Sequence, residues 1–170
     1  MKVAVADARQ NKILSRPALK RRLAGLRRSG KRIVFTNGCF DLIHPGHIRY
    51  LRAAKGLGDV LVVALNSDDS VRRLKGSGRP LVCERDRCEV VAALEMIDYV
   101  TVFGDDTPYA LIKDLQPDVL VKGGDWQPDR IVGADVVRAR GGTVRSLPYA
   151  RGYSTTALVR KLEGRKSKVT

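Results

Sequence analysis

The chain has 170 residues, the length of one domain that can bury a sizeable core. Its net charge of +14 is concentrated at the ends: residues 1–32 hold 11 basic and one acidic side chain, and residues 160–170 hold five basic and one acidic. Residues 33–159 are neutral in sum. A fold that binds nucleic acid usually has a basic face of its own, so this distribution argues against that class and favours loosely anion-attracting or solubilising tails.

The termini and the cysteines predict a cytoplasmic protein. The N-terminus has no apolar run before a small-residue cleavage site, and no apolar segment reaches the length of about 18 residues that spans a membrane. The three cysteines, Cys39, Cys83 and Cys88, are an odd number. They argue against a disulfide framework and agree with a reducing compartment.

The first 31 residues read as a basic extension that contains one amphipathic helix. Residues 1–14 have no convincing period, although 3–6 are compatible with a short edge strand. Ser15 and Pro17 then predict a helix start, with Leu19, Leu23 and Leu26 on its buried face and an end near Gly30. We expect the basic residues of this helix to face solvent: Lys20, Arg21, Arg22, Arg27 and Arg28.

Both histidines of the chain lie between a predicted strand at residues 33–35 and a predicted helix from Pro45 to about Leu57. In an α/β sheet this strand-to-helix crossing is where phosphates and nucleotides bind. His44 and His47 could both donate to one anion there. They could equally be capping or packing residues. Half of a zinc site is disfavoured, because no third histidine and no cysteine pair with ligand spacing exist.

The apolar run of residues 60–65 predicts a strand covered on both faces, parallel to the first. The polar segment Ser67 to Arg79 follows, and we interpret it as a flexible loop. Its Lys75 could close over a phosphorylated substrate, or the segment could be an ordinary surface loop.

The remaining elements alternate between helix and strand. A helix begins near Arg85, with Val90, Val91, Leu94 and Ile97 inward. The elements predicted after it are strand 99–103, helix 107–115, strand 119–121, helix 129–139 and strand 143–147.

Two further segments have ligand-binding composition. Lys122-Gly123-Gly124-Asp125-Trp126 is a glycine turn at a strand end, where Trp126 could cover a base or a sugar, or simply be a half-buried turn residue. Ser154, Thr155 and Thr156 follow Gly152 at a predicted helix start. One hydroxyl would suffice as a cap, and three indicate an anion site.

These segments carry a family resemblance. Residues 36–47, Thr-Asn-Gly-Cys-Phe-Asp-Leu-Ile-His-Pro-Gly-His, resemble the HxGH motif of the nucleotidylyltransferase superfamily, and residues 152–162 resemble its second motif, (G)xSTT. Within that superfamily the chain resembles the heptose-1-phosphate adenylyltransferase domain, from about residue 32 to 162. The resemblance implies an α/β fold, a three-layer sandwich with a five-stranded parallel Rossmann-like nucleotidyltransferase sheet, followed by a basic tail at 163–170.

The resemblance also implies a reaction and a set of site residues. ATP and D-glycero-β-D-manno-heptose 1-phosphate would give ADP-heptose and pyrophosphate, with Mg²⁺ carried with ATP, no metal site on the protein, and a separate heptose kinase upstream. The implied catalytic residues are His44, His47 and Lys75. The implied nucleotide-binding residues are Cys39, Phe40, Asp41, His44, His47, Gly123, Asp125, Ser154, Thr155 and Thr156. The implied substrate-binding residues are Asp41, Lys75, Arg87, Lys122 and Trp126.

Three alternatives remain open on the sequence. Cytidylyl transfer to glycerol 3-phosphate or another small phosphate ester is the nearest, although Tyr149 stands where the cytidylyltransferase branch usually has an arginine. The others are a non-catalytic nucleotide-binding regulator and a basic-tailed nucleic-acid-binding module. Arg87 could also form only a helix-surface ion pair, with Glu84 or Asp86. Members of the superfamily often form dimers, so a homodimer is a further expectation.

Overall fold

A computed structural model describes residues 12–124 and 126–148, together with Thr155, Val159 and Gly164. The helices within these residues are α1 Arg16–Arg28, α2 Pro45–Lys55, α3 Asp68–Lys75, α4 Glu84–Ala92, α5 Tyr109–Leu115 and α6 Ala134–Arg138, with a 3₁₀ turn at Pro128–Arg130. The strands are β1 Ile33–Gly38, β2 Val60–Asn66, β3 Tyr99–Phe103, β4 Val119–Gly123 and β5 Thr143–Leu147. The predicted site residues Asp125, Ser154 and Thr156, and the compatible strand at 3–6, lie outside the described residues.

The five strands form one parallel sheet in the order β3-β2-β1-β4-β5. The chain builds outward from β1 through β2 to β3 and then returns to the other side of β1 for β4. The switch point therefore lies between β1 and β4, and the crevice at their carboxyl ends is the usual ligand site of such a sheet.

Helices cover both faces of the sheet, so the predicted three-layer architecture is confirmed. In β2, Val60, Val62 and Ala64 pack with α1 and α5. The alternate residues of the same strand, Leu61 and Val63 among them, pack with α2 and α4. This two-sided burial explains why the strand reads as an unbroken apolar run instead of an alternating one.

Helix α1 belongs to the core of the domain. Leu19 and Leu23 are buried against the sheet, so the predicted helix is confirmed. This helix of the N-terminal extension packs against the domain that was expected to begin at residue 32. The expectation that Arg27 faces solvent is wrong. Its guanidinium donates to the carbonyls of Leu115 and Gln116, which end α5 and need donors.

The segment predicted as a flexible loop, Ser67 to Arg79, forms α3 over most of its length. The Ser67 hydroxyl accepts from the Ser70 amide at 3.2 Å and caps the helix. Asp68 and Asp69 lie in the first turn, where the helix dipole favours negative charge. The interpretation as a loop is therefore wrong, because these capping signals outweigh the polar composition.

The predicted helix at 129–139 is divided into the 3₁₀ turn and α6. Gly133 separates them with a φ of +88°, a left-handed conformation that ends one element and begins the next. A Cβ at this position would lie 2.7 Å from Ile112 Cδ1, so close packing against α5 also requires a glycine at position 133.

In α4 the inward positions are Arg87, Cys88, Val91 and Ala92. Val90 is 48% exposed, so its predicted inward orientation is wrong.

Among the described residues, no helix combines the length and apolarity needed to cross a membrane.

Candidate active site

The histidines lie at the switch-point edge of the sheet, in the crossing from β1 to α2. His44 is the residue that caps α2, and Pro45 follows at the first helical position, where a missing N–H costs nothing. His44 Nδ1 accepts from the His47 amide at 3.3 Å, so the ring serves as a cap. That hydrogen bond assigns the ring proton of His44 to Nε2.

The two imidazole rings stack on each other. Their centroids are 3.8 Å apart with an interplanar angle of 17°. Burial lowers the pKa of His44, and burial together with the charge of His44 lowers the pKa of His47 to about 4. Both rings are therefore neutral near pH 7, and they can offer hydrogen bonds to a ligand but no positive charge. Within the described part of the chain, His47 Nδ1 is buried without a partner.

Phe40 forms the wall behind His47. Its ring lies 5.3 Å from the imidazole of His47, and its side chain is buried in the core. A Cβ on Gly38 would approach the Phe40 ring to 3.0 Å, so the glycine makes room for it. The buried ring supports the histidine, and a nucleotide contact by Phe40 stays a prediction.

Asp41 is enclosed by protein groups. Its Oδ1 accepts from the amides of Leu81 at 2.8 Å and Val82 at 3.0 Å, and its Oδ2 accepts from Arg79 Nε at 2.6 Å. The Asp41 side chain is 1% exposed. In this structure the carboxylate fixes the segment that leads into α4, and a contact of Asp41 with the nucleotide or substrate stays a prediction.

Arg87 is enclosed as well, with a side chain that is 0% exposed. It donates to the carbonyls of Cys39, Asn66 and Val82 and to Asp68 Oδ1. The interpretation as a helix-surface ion pair with Glu84 or Asp86 is wrong, because the buried guanidinium pairs with Asp68. Substrate binding by Arg87 stays a prediction. It joins the ends of β1 and β2 to α4.

Two lysines near the loop after β1 have no acidic partner among the described residues. Lys122 extends from the end of β4, with Nζ 3.4 Å from Asn37 Oδ1 at the end of β1. Burial lowers the pKa of Lys122; the Cys39 thiol opposes this shift and the charge of Lys75 adds to it. Lys75 is exposed in the last turn of α3. These cations suit an anionic ligand.

Cys39 lies among these charges. Burial raises the pKa of its thiol, Lys75, Arg87 and Lys122 act to lower it, and Asp41 acts to raise it. The thiol is therefore protonated at neutral pH and has no role as a nucleophile. Its position shows that both lysines approach the loop after β1.

The second motif reaches the same loop. Thr155 Oγ1 donates to the carbonyl of Leu42 at 3.4 Å, which joins two segments 113 residues apart in sequence. The β4 end contributes Gly123, which is buried, and Trp126, whose side chain is half exposed. Ligand contacts by Gly123 and Trp126 stay predictions.

The sequence patterns assign no role to Arg79, whose Nε–H binds Asp41. No local sequence pattern predicts this contact, since the two residues are 38 positions apart.

A groove of about 420 Å³ lies along the first turns of α2, and it is lined by Ile43, His44, Pro45, Ile48, Arg49 and Arg52.

This arrangement agrees with a sequence profile of the cytidylyltransferase-like family, which matches residues 35–161. The chain belongs to the cytidylyltransferase-like family. This cytidylyltransferase-like chain is 52% identical over 152 residues to the bifunctional protein HldE of Syntrophotalea carbinolica, in an alignment that covers 89% of the chain and 31% of that relative. It is 55% identical over 155 residues to the bifunctional protein HldE of Rhodopseudomonas palustris, covering 91% and 32%. The chain thus spans about a third of the length of these relatives.

Solved structures show the same fold. The lipopolysaccharide core biosynthesis protein of Thermoplasma volcanium is 28% identical with a TM-score of 0.58, over 74% of this chain and 100% of that chain. The pantoate-beta-alanine ligase of Francisella tularensis matches at a TM-score of 0.55 with 14% identity, over 82% and 67%, which is a likeness of fold alone.

Proposed function

We propose that this chain transfers AMP from ATP to D-glycero-β-D-manno-heptose 1-phosphate, giving ADP-heptose and pyrophosphate. One observation carries the nucleotidyl-transfer chemistry: Thr155 of the second motif meets Leu42 of the histidine loop at the switch point of a parallel sheet. The choice of acceptor is supported by the resemblance of the two motifs and by the 52% identity to a bifunctional HldE.

The reaction needs alignment more than activation, because a sugar phosphate is already an anionic nucleophile at neutral pH. One of its oxygens forms a bond to the α-phosphorus of ATP. The bond from that phosphorus to the bridging oxygen breaks on the opposite side, and its electron pair leaves with pyrophosphate. The protein has to hold both anions in line and stabilise the charge that develops.

The site divides these tasks between neutral donors and cations. The stacked imidazoles of His44 and His47 are uncharged, so they donate hydrogen bonds to the triphosphate as charge builds on it. Lys75 and Lys122 supply positive charge for the sugar phosphate and the transition state. In this proposal Thr155, with Ser154 and Thr156 beside it in sequence, binds the β- and γ-phosphates.

Mg²⁺ is proposed to arrive with ATP. The described residues contain no group of three or more His, Cys, Asp or Glu side chains arranged to hold a metal ion, and the oxygens of Asp41 are engaged by protein donors. The described residues therefore offer no donor set that fits a resident metal. Mg²⁺ bound to the nucleotide phosphates would reduce the negative charge that the two lysines face.

We propose a cytoplasmic reaction, since both substrates are charged phosphate esters that do not cross membranes unaided. The acceptor would come from a separate kinase that phosphorylates the anomeric oxygen of the heptose. Co-purification of such a kinase activity with the tagged chain would test the physical association.

The acceptor and nucleotide are tested by pyrophosphate release with Mg²⁺, pairing ATP and CTP each with heptose 1-phosphate, glycerol 3-phosphate and ethanolamine phosphate. We expect release with ATP and heptose 1-phosphate. Release only with CTP and another acceptor would keep the chemistry and reject the proposed substrates. No release with any pair would reject the enzymatic proposal.

The role of His47 is tested by His47→Ala. One well-placed donor to a transition state contributes about 3 kcal/mol, so turnover should fall about a hundredfold while ATP affinity changes by a small factor. Lys113→Ala is a matched control, because Lys113 is exposed on α5 at the opposite face of the sheet from α2. Near-normal turnover of His47→Ala would remove His47 from the mechanism.

A further inference from the structure

Arg79 lies in the connection between α3 and α4, and it is the group that neutralises Asp41. Its Nε–H donates to Asp41 Oδ2 at 2.6 Å. The Arg79 side chain is 20% exposed, whereas that of Asp41 is 1% exposed. The ion pair therefore has one buried end and one end that reaches the surface.

The contact uses only one edge of the guanidinium. Asp41 Oδ1 is taken by two backbone amides, so the carboxylate leaves a single oxygen for Arg79. Within the described residues, neither Nη1 nor Nη2 of Arg79 donates to any acceptor, and neither is enclosed. Four N–H groups of a side chain held in place at Nε are therefore presented outward.

The Arg79–Asp41 pair lies in the loop that carries the proposed phosphate site. Asp41 is three residues before His44 in the loop that follows β1. The charges of Asp41, Lys75 and Lys122 all act on the one thiol of Cys39, so these groups surround the same short stretch of backbone. Arg79 reaches Asp41 from the connection between α3 and α4, four residues after Lys75 in sequence, and Thr155 donates to the carbonyl of Leu42, the residue after Asp41.

A guanidinium with one edge fixed and the other open suits a phosphate, because two parallel N–H groups can bind two of its oxygens. We propose that Arg79 binds the phosphate group of the sugar phosphate acceptor, and that Asp41 acts as a positioning residue that orients it. The inference rests on the proposed function for the identity of the acceptor. It assigns Arg79 a contact with substrate that its sequence context does not show.

The competing explanation is that Arg79 serves only to neutralise the buried carboxylate of Asp41. Arg79→Gln alone does not separate the two roles, since it also leaves Asp41 unpaired. The double variant Arg79→Gln with Asp41→Asn removes the unpaired charge, and the amide oxygen of the introduced asparagine can still accept from Leu81 or Val82. Arg72→Gln is the matched control, because Arg72 is an exposed arginine on α3 whose one ion-pair partner among the described residues is exposed Asp69.

The experiment measures KM for the sugar phosphate and for ATP, with urea unfolding of each variant in parallel. A hydrogen-bonded charge at a phosphate corresponds to about a tenfold to hundredfold change in affinity. We expect KM for the sugar phosphate to rise by that factor in Arg79→Gln and to stay raised in the double variant, with KM for ATP within about twofold. Recovery of KM in the double variant, or an equal rise in KM for ATP, would overturn the proposal.

A second measurement does not depend on the acceptor. Titration calorimetry follows inorganic phosphate binding to the protein saturated with an ATP analogue that has a methylene group between the α- and β-phosphorus. Phosphate affinity should fall about tenfold in Arg79→Gln and remain unchanged in Arg72→Gln. If wild type fails to use heptose 1-phosphate but this loss is seen, the proposed function falls and the Arg79 site stands. Equal phosphate affinity in wild type and Arg79→Gln rejects the site whatever the turnover assay gives.

Discussion

Replacing Arg87 with methionine should destabilise the domain more than any surface substitution. Methionine approximates the apolar part of the arginine side chain but makes none of its hydrogen bonds. The variant leaves the carbonyls of Cys39, Asn66 and Val82 without their donor and Asp68 without its cation. Removing one partner of a buried charge pair typically costs about 3–5 kcal/mol.

The structure places the expected loss toward the lower end of that range. Asp68 is 24% exposed, so water can solvate part of its carboxylate once Arg87 is gone. The three carbonyls lie at the ends of β1 and β2 and before α4, where some rehydration is also feasible. We therefore expect a loss of about 3 kcal/mol in the free energy of unfolding, against a total of about 5–15 kcal/mol for a typical domain.

Urea unfolding followed by circular dichroism measures this difference. With a denaturant slope of about 2 kcal/mol per molar, the midpoint should fall by about 1.5 M. Arg85→Met is the control: Arg85 is exposed on the same helix, so its replacement should change the unfolding free energy by less than about 0.5 kcal/mol. An Arg87→Met protein as stable as wild type but devoid of turnover would refute this reasoning and return Arg87 to the substrate site.

Two further predictions concern backbone strain and pH. Gly133→Ala should lower the free energy of unfolding by about 2–3 kcal/mol, because residue 133 has a φ of +88° and its new Cβ would clash with Ile112. Gly141→Ala should lower it by about 1 kcal/mol, because residue 141 has a φ of +75° but its Cβ would lie in open space. Equal losses in urea unfolding would reject the clash. Burial lowers the pKa of His47 from 6.5 to about 4, so folding favours the neutral imidazole. The contribution of His47 to the free energy of unfolding is therefore fully present above pH 6.5 and is lost as the pH falls toward 4. The expected loss is about 2 kcal/mol after allowance for solvent screening. His47→Gln should remove most of that slope, and an unchanged slope would assign it to other groups.

The sequence predicts the central strands β1, β2 and β4 well because each contains a local apolar run. Residues 60–65 are apolar throughout, and β2 is buried on both faces. The wrong predictions concern segments whose structure is determined by capping or by backbone conformation and not by the spacing of apolar residues. Asp68 and Asp69 read as loop residues by composition, yet after Ser67 they form the first turn of α3. The break at Gly133 comes from its left-handed φ of +88°, which the apolar pattern of residues 129–139 does not show.

The candidate site follows the same division. His44 and His47 are predictable, because a strand, a turn and a proline-initiated helix are contiguous in sequence and place them at one sheet edge. Arg87 and Asp41 are not, since sequence gives the charge of a side chain but not its burial. The acceptors of Arg87 are carbonyls from three separate segments, and the donors to Asp41 are 38 to 41 residues away.

The two buried charges converge on one strained residue. Phe40 has a φ of +47°, a left-handed conformation that costs a non-glycine residue about 1–2 kcal/mol. The residue before it is held through its carbonyl by Arg87, and the residue after it, Asp41, is held through its carboxylate by Arg79 and two amides. These contacts fix the backbone on both sides and direct the Phe40 ring against His47. The charges of Arg87 and Asp41 therefore hold the geometry of this loop, and in the proposed mechanism the positive charge for the ligand comes from Lys75, Lys122 and Arg79 instead.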